Sequence, residues 1–243
     1  MHSFEDTTTA IPFDATLFDL PTTEIAAAAH ALIAKVAPDV VYHHSLRSYL
    51  FARKLAAAQG LHASEDYDDE LVYLSCLLHD LGATDHANGN QRFEVDGADA
   101  AMEFLRSHDM DESRARSVWN AIALHTSDGL APRFGTVAAV AQMGIGADIL
   151  GRGREMLPPG YADEVHALLP RHDLGYVFAD MIAQQVHANP AKGGPFTLAG
   201  HLHQLHYPAD KVTWFDLVEM TGWGDRRSAP LYAAKNRRAD GPE

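Results

Sequence analysis

A histidine and an aspartate stand side by side, as His79 and Asp80, directly after the apolar run Leu71–Leu78. Imidazole and carboxylate groups are ligands for divalent metal ions, so this pair is suited to holding a catalytic ion. A carboxylate inside an apolar segment must be paired, protonated or metal-bound, because burying it alone costs several kcal/mol or more. A hydrogen bond between the two side chains within a protein core satisfies the same requirement, and the pair alone leaves both interpretations open.

Other polar residues lie on the inward faces of separate predicted helices. His44 shares a helical face with Arg47 and Phe51, at the i+3 and i+7 positions. Asp148 interrupts an otherwise apolar stripe, and His125 ends another one. Each of these residues alone is more often a satisfied core group than a ligand. Four helices that each deliver one such residue favour a shared site.

The order of His44, the His79–Asp80 pair and Asp148 resembles the metal motif H…HD…D of the HD-domain superfamily of metal-dependent hydrolases. The flanking sequences are similar to its cyanamide-hydratase-like branch, over residues 42–48, 77–82 and 92–98. The resemblance covers roughly residues 20–151 and continues more weakly beyond. It implies that His44, His79, Asp80 and Asp148 bind the metal.

The expected ion follows from these ligand types. Two imidazoles and two carboxylates suit Zn²⁺ best, and Fe²⁺, Mn²⁺ or Co²⁺ nearly as well. Di-iron members of the superfamily carry an extra histidine after the HD pair, where this chain has Arg92 and Phe93. We therefore expect one ion per chain. Second-messenger phosphodiesterases of the superfamily commonly place a lysine at the position of Ala83, which weakens a phosphohydrolase interpretation.

The resemblance also suggests roles for residues around the ion. His125 is expected to move a proton or to bind substrate, and Glu94 to orient a ligand imidazole. Arg47 is expected to pair with a buried carboxylate. An ordinary salt bridge between helices is an equal alternative for both Glu94 and Arg47. The candidate substrate contacts are Thr126, Phe51, Phe93 and His86.

The activity implied by the resemblance is hydration of a small C≡N compound, such as cyanamide to urea or a nitrile to an amide. A bound ion lowers the pKa of its water from about 15.7 toward 7 and so supplies hydroxide at neutral pH. The first alternative is a phosphohydrolase that acts on a nucleotide or another small phosphate ester. The second is a metal site that serves only structure or regulation.

Composition limits the partners that we expect. The net charge of −14 argues against binding to nucleic acid or to an anionic membrane. No apolar stretch is long enough to span a bilayer, and no signal-peptide pattern is present. The single cysteine, Cys76, is expected to be a buried structural thiol. These features predict a cytoplasmic protein with a small-molecule substrate, and they leave homo-oligomer formation open.

Helical periodicity recurs along the chain and no segment shows the strict alternation of a half-buried strand, so we predict an all-α fold, an HD-domain helical bundle. A single domain is expected over residues 20–225, between loose tails at residues 1–19 and 226–243. A first helix is expected to begin within residues 21–24 and to run through residue 34. Further helices are expected over residues 39–59, 69–82, 94–108, 111–125, 134–150, 161–169, 175–187, 197–206 and 212–221. Gly82 is expected to cap the helix that carries the His79–Asp80 pair.

Some histidines are not assigned to the site. His201, His203 and His206 do not share a helical face, and we expect them to be solvated or structural. His43 points away from its neighbour His44 on a helix, so a structural role is expected for it as well.

Overall fold

A computed structural model describes residues 18–225. This range contains ten α-helices and no β-strand, which confirms the predicted all-α helical bundle. The helices are α1 (Glu24–Val36), α2 (Asp39–Ala58), α3 (Asp69–Leu78), α4 (Phe93–Ser107), α5 (Glu112–Leu124), α6 (Thr136–Leu150), α7 (Tyr161–Leu168), α8 (Leu174–Ala188), α9 (Leu198–His206) and α10 (Trp214–Met220). The tails expected at residues 1–19 and 226–243 lie almost entirely outside the described residues.

No helix in the described part of the chain is long and apolar enough to cross a membrane.

Several helices begin where the sequence offers an oxygen acceptor to the free N–H groups of the first turn. The Thr23 hydroxyl accepts from the Ala26 N–H, and the Asp68 carboxylate accepts from the Leu71 N–H. These caps set the starts of α1 and of α3, the helix that leads to the His79–Asp80 pair.

Helix α3 ends at Leu78, earlier than the predicted end at Gly82. The His79–Asp80 pair therefore lies in the connection to α4, ahead of a short 3₁₀ helix at Leu81–Ala83. Gly82 does not adopt a left-handed conformation, so the prediction that it caps the helix is wrong. Its role is steric, because a Cβ at this position would lie 1.9 Å from the Phe93 carbonyl oxygen. The glycine lets the start of α4 approach the His79–Asp80 pair.

Helix α2 runs through the main core and packs extensively against α6. The two helices approach closely at Gly144, where a Cβ would lie 1.9 Å from the Ser48 carbonyl oxygen. One helical turn away on each helix are His44 and Asp148, whose side chains are in contact. The close approach at the glycine thus allows two short polar side chains to meet between the helices.

A second, smaller core lies between α8 and the first turns of α2 and α4, with Val41, Phe93 and Phe178 among its members. A buried ion pair joins the same regions of the chain. Lys192, which is 2% exposed, has its Nζ 2.5 Å from Asp96 Oδ2. The segment after α8 is therefore attached to α4, next to the loop that follows the His79–Asp80 pair.

Substituting Gly144→Ala should destabilise the fold, because the added Cβ meets the backbone of α2 and the helices must separate. Overpacking of this kind costs about 1–3 kcal/mol. The matched control is Gly146→Ala in the same helix, where the new Cβ meets only the flexible Arg152 side chain, at 3.3 Å. Alanine's better helix propensity, worth up to about 1 kcal/mol, should leave the control neutral or stabilised. Urea denaturation measures both, and equal stability of the two variants would contradict this account of α2–α6 packing.

Candidate metal centre

Three side chains converge between α2 and the end of α3. His44 Nε2 lies 3.2 Å from His79 Nε2, and Asp80 Oδ2 lies 3.0 Å from the second of these nitrogens. The distance from His44 Nε2 to Asp80 Oδ2 is 3.6 Å. Ligand atoms bound to one Zn²⁺ at about 2.0–2.2 Å are themselves separated by about 3–3.5 Å. The three atoms are therefore spaced like ligands on one face of a coordination sphere.

The protonation of the two imidazoles is set by what lies behind them. His79 Nδ1 donates to the Cys76 carbonyl oxygen at 2.8 Å, and His44 Nδ1 donates to Asp148 Oδ2 at 2.7 Å. With the proton on Nδ1, a neutral imidazole presents an unprotonated Nε2. Both Nε2 lone pairs consequently point into the space beside Asp80.

The unpaired carboxylate oxygens of Asp80 test whether a metal ion fits this cluster. Its side chain is buried, and neither of its carboxylate oxygens accepts a hydrogen bond. Such a carboxylate, beside two facing nitrogen lone pairs, requires a positive charge at this point. His44, His79 and Asp80 therefore fit a divalent metal ion.

The pKa values of the same groups show how burial and neighbouring charges affect their protonation. Burial opposes ionisation of Asp80, but the imidazoles of His79, His44 and His125 lower the pKa of its carboxyl to about 2. Burial lowers the pKa of His44. Burial acts in the same direction on His79, yet the charge of Asp80 outweighs it and raises the pKa of this imidazole. A bound cation replaces the proton that His79 would otherwise hold, so metal affinity should fall with decreasing pH.

Asp148, expected from the sequence to be a ligand of the ion, does not join the converging group. Its carboxylate lies behind His44, on the Nδ1 side of the ring, rather than on the Nε2 side. The physical reason is Arg47, whose Nε and Nη2 donate to the two Asp148 oxygens at 2.9 and 2.8 Å. The arrangement is a carboxylate–histidine pair of the kind that orients a metal-binding imidazole.

Arg47 is fully occupied by this role, in line with the salt bridge considered from the sequence. Its Nη1 donates to the carbonyl oxygens of Leu169 and Pro170, at 3.0 and 2.7 Å. Arg171 Nη1 adds a further bond to Asp148 Oδ1 at 2.9 Å. Burial opposes ionisation of Asp148, but the neighbouring His166 and His44 and the Arg47 guanidinium hold the pKa of its carboxyl well below the usual range. Asp148 is therefore ionised and saturated with donors.

His125 adds a third imidazole beside the cluster. Its Nδ1 donates to the Ile122 carbonyl oxygen at 2.7 Å, which leaves Nε2 unprotonated. That nitrogen lies 3.8 Å from Asp80 Oδ1, and the ring packs edge-on against His79. Burial and the neighbouring His79 lower the pKa of His125, so it is neutral at pH 7. It is placed to accept a proton or to contribute a further ligand.

A cavity of about 180 Å³ opens beside the three histidines. Its other walls are mostly apolar. The lining consists of His44, His79, His125, Thr126, Asp128, Gln142, Ile145, Gly146, Ile149, Leu150, Arg152, Phe178 and Leu198. We call it the histidine cavity. A small molecule within it would contact these three histidines.

Not all of the predicted substrate contacts line the histidine cavity. Thr126 lines the histidine cavity, whereas Phe93 packs behind His125, at 5.6 Å between ring centres. Phe51 lines a different cavity, on the far side of Asp148. His86 is exposed on the loop after the His79–Asp80 pair and does not line the histidine cavity.

Glu94 also differs from its expected role, since no ligand imidazole is hydrogen-bonded to it. Its Oε1 accepts from Arg92 Nη2 at 2.6 Å and from the Thr126 hydroxyl at 2.5 Å. This salt bridge is local, because Arg92 directly precedes the helix that carries Glu94, so it is not the interhelical bridge considered from the sequence. Glu94 Oε2 is buried without a hydrogen-bond partner. Through its bond with Thr126, Glu94 orients one of the residues that line the histidine cavity.

Sequence reasoning missed the residues that close the cavity on the side of the later helices, mainly Phe178 and Leu198. Phe178 belongs to the apolar stripe of α8 together with Leu174 and Ile182, at i−4 and i+4. That stripe indicated a buried face. Nothing in it indicated which part of the chain the face would cover.

Substituting Asp80→Asn should abolish high-affinity metal binding, because it replaces the converging carboxylate with a neutral amide, a much weaker ligand. Substituting Asp148→Asn should weaken binding by only about 10–100-fold, the usual effect of losing a group that orients a ligand. Metal content and Zn²⁺ titration of the purified variants provide the measurement, with circular dichroism to check folding. His43→Ala is the control and should bind normally. If Asp148→Asn lost the ion as completely as Asp80→Asn, Asp148 would have to be a direct ligand.

The comparison with protein families agrees with this site. Residues 41–160 match the family model described as HD domain. No match was found among curated proteins. The matched range contains His44, the His79–Asp80 pair, His125 and Asp148, and HD domains are typical of metal-dependent hydrolases. The match over residues 41–160 supports membership of the HD superfamily.

Proposed function

We propose that this HD domain hydrates a small, neutral C≡N compound, with cyanamide and water giving urea as the reference reaction. The observation that carries the proposal is the histidine cavity, which is small, largely apolar and bordered by three histidines. Its volume of about 180 Å³ is below the roughly 300–1,000 Å³ of sites for drug-sized ligands. A linear molecule of a few atoms suits such a space.

The charges around the cavity favour a neutral substrate over a phosphate ester. A phosphate dianion is normally held by arginine or lysine side chains that are free to donate to it. Among the described residues lining the cavity, the only such cation is Arg152, and Asp128 holds it with two bonds of 2.5 and 2.7 Å. Arg47 and Arg92 are likewise committed, to Asp148 and Glu94.

His44, His79 and Asp80 would hold the ion, and Zn²⁺ is our first choice, with Fe²⁺, Mn²⁺ or Co²⁺ as alternatives. When bound, such an ion acidifies water and polarises a C≡N group. The chain's own contribution is to position the proton transfer. His125 Nε2, unprotonated and facing the cavity, accepts a proton from the attacking water and returns it to the nitrile nitrogen.

Two other features of the chain support this reaction. The Thr126 hydroxyl donates to Glu94, so its oxygen is oriented and can accept a hydrogen bond from a substrate amino group. The apolar walls formed by Ile145, Ile149 and Phe178 exclude bulk water and strengthen the remaining electrostatic interactions.

Phosphate-ester hydrolysis is the second candidate, and one observation favours it. A separate cavity of about 350 Å³ shares Ile149 with the histidine cavity and is lined by Arg154, His166 and Arg171. Arg171 donates to Asp148, whereas Arg154 and His166 are less closely paired with this carboxylate. An anionic group on a larger substrate would be directed to this neighbouring cavity.

The metal-loaded protein should release urea from cyanamide and lose that activity on chelation. His125→Ala should lower turnover by about 10²–10⁴-fold, the usual contribution of a positioned acid–base group, with much less effect on metal content. His43→Ala is the matched control, because His43 lies next to a ligand yet contacts His172 instead of the cavity. Phosphate release from nucleotides without any urea would transfer the assignment to the phosphohydrolase.

Widening the cavity should relax substrate size. Leu198 lines the histidine cavity at the start of α9, so Leu198→Ala should raise kcat/KM for a bulkier nitrile relative to cyanamide by about tenfold or more. Leu205→Ala, in the same helix but exposed and outside the cavity, is the matched control and should leave the ratio unchanged. A parallel series of nitriles of increasing size gives the measurement. Identical ratios in both variants would show that substrate does not occupy this cavity.

A further inference from the structure

Three potential metal ligands meet at a second place, on the C-terminal helices and away from the histidine cavity. His187 comes from α8, His203 from α9, and Asp210 from the short 3₁₀ helix Pro208–Asp210 that follows α9. Asp210 Oδ2 lies 3.8 Å from His187 Nδ1 and 3.6 Å from His203 Nε2. One ligand atom from each residue lies within 4.8 Å of the other two.

We propose that His187, His203 and Asp210 form a second metal-binding site, which takes Zn²⁺ or another divalent ion that prefers imidazole ligands. Two imidazoles and one carboxylate match the ligand preferences of Zn²⁺, Ni²⁺ and Cu²⁺ rather than those of Mg²⁺ or Ca²⁺. The site does not depend on the function proposed for the histidine cavity.

His203 provides independent support for a ligand at this place. Its side chain is only 12% exposed, and its Nε2 is buried without a hydrogen-bond partner among the described residues. A buried imidazole nitrogen that lacks a partner is costly, and an ion would satisfy it. His206 on the same helix differs, because both of its ring nitrogens are engaged, with the Leu202 carbonyl oxygen and with Asp180.

Tyr207 holds the two imidazoles in position before any ion binds. Its ring stacks on His187 with 4.0 Å between centres and 5° between planes, and on His203 with 5.0 Å and 24°. Stacking restricts the rotation of both rings, so less conformational entropy is lost when they bind a common ion.

The ligand atoms must move closer together to bind one ion. Tetrahedral Zn²⁺ with bonds of about 2.0–2.1 Å separates its ligand atoms by about 3.3 Å. The two distances to Asp210 Oδ2 exceed this by a few tenths of an ångström, and the two imidazole nitrogens lie within 4.8 Å of each other. Asp210 and His187 are half exposed, so their side chains can make this adjustment. Three protein ligands leave a position for water, and the ion would link α8, α9 and the turn that leads to α10.

Zn²⁺ binding to the metal-stripped full-length chain tests this site, by equilibrium dialysis and isothermal titration with Zn²⁺ alone. We expect two ions per chain in the unmodified protein and one in His203→Ala. The matched control is His201→Ala, an exposed histidine in the same helix that is not part of the group, and it should still bind two. An equal number of ions in the unmodified protein and in His203→Ala would overturn the proposal.

A second background separates the new site from the HD cluster. His79→Ala removes a ligand of the cluster and should leave one Zn²⁺ per chain, and adding His203→Ala should remove that ion as well. A single ion that persists in the double variant would also overturn the proposal. If His79→Ala does not fold, as judged by circular dichroism, the comparison of His203→Ala with His201→Ala decides the question.

Discussion

The ion pair between Arg47 and Asp148 is the interaction on which the rest of the site depends. It joins α2 to α6 in the interior, where removing one partner of such a pair costs about 3–5 kcal/mol. The carboxylate that Arg47 holds in place also accepts the Nδ1 proton of His44. One buried salt bridge therefore both joins two helices and determines which nitrogen of His44 faces the cluster.

Each of the three imidazoles donates its Nδ1 proton, but the acceptors differ in kind. Asp148 accepts the Nδ1 proton of His44, whereas the carbonyl oxygens of Cys76 and Ile122 accept those of His79 and His125. In the last two cases the acceptor lies three residues earlier in the chain, at the end of a helix, so local backbone geometry suffices. In their neutral forms all three rings consequently have an unprotonated Nε2 beside one small, largely apolar cavity, the condition for both metal binding and proton transfer.

Much of the fold and part of the site could be predicted from the sequence. Helical periodicity located every helix, and the adjacency of His79 and Asp80 indicated their role. Periodicity could not show that Arg47 would hold Asp148 behind His44, because that depends on how close α6 lies. Phe51 shares a helical face with His44 but lies two turns along α2, roughly 10 Å away, and so it lines a different cavity. Phe178 was missed because a stripe in α8 does not reveal what it covers.

The attachment of the later helices has a consequence for the boundaries of the functional unit. The family match ends at residue 160, yet the carbonyl oxygens that receive Arg47 belong to Leu169 and Pro170, and Phe178 closes the cavity. A fragment trimmed to the match would retain the ligands of the ion. It would also leave a buried guanidinium short of acceptors and the histidines open to solvent. The minimal autonomous unit of this protein is therefore larger than its recognisable signature, and divergence in the segment after residue 160 can change activity while the motif stays intact.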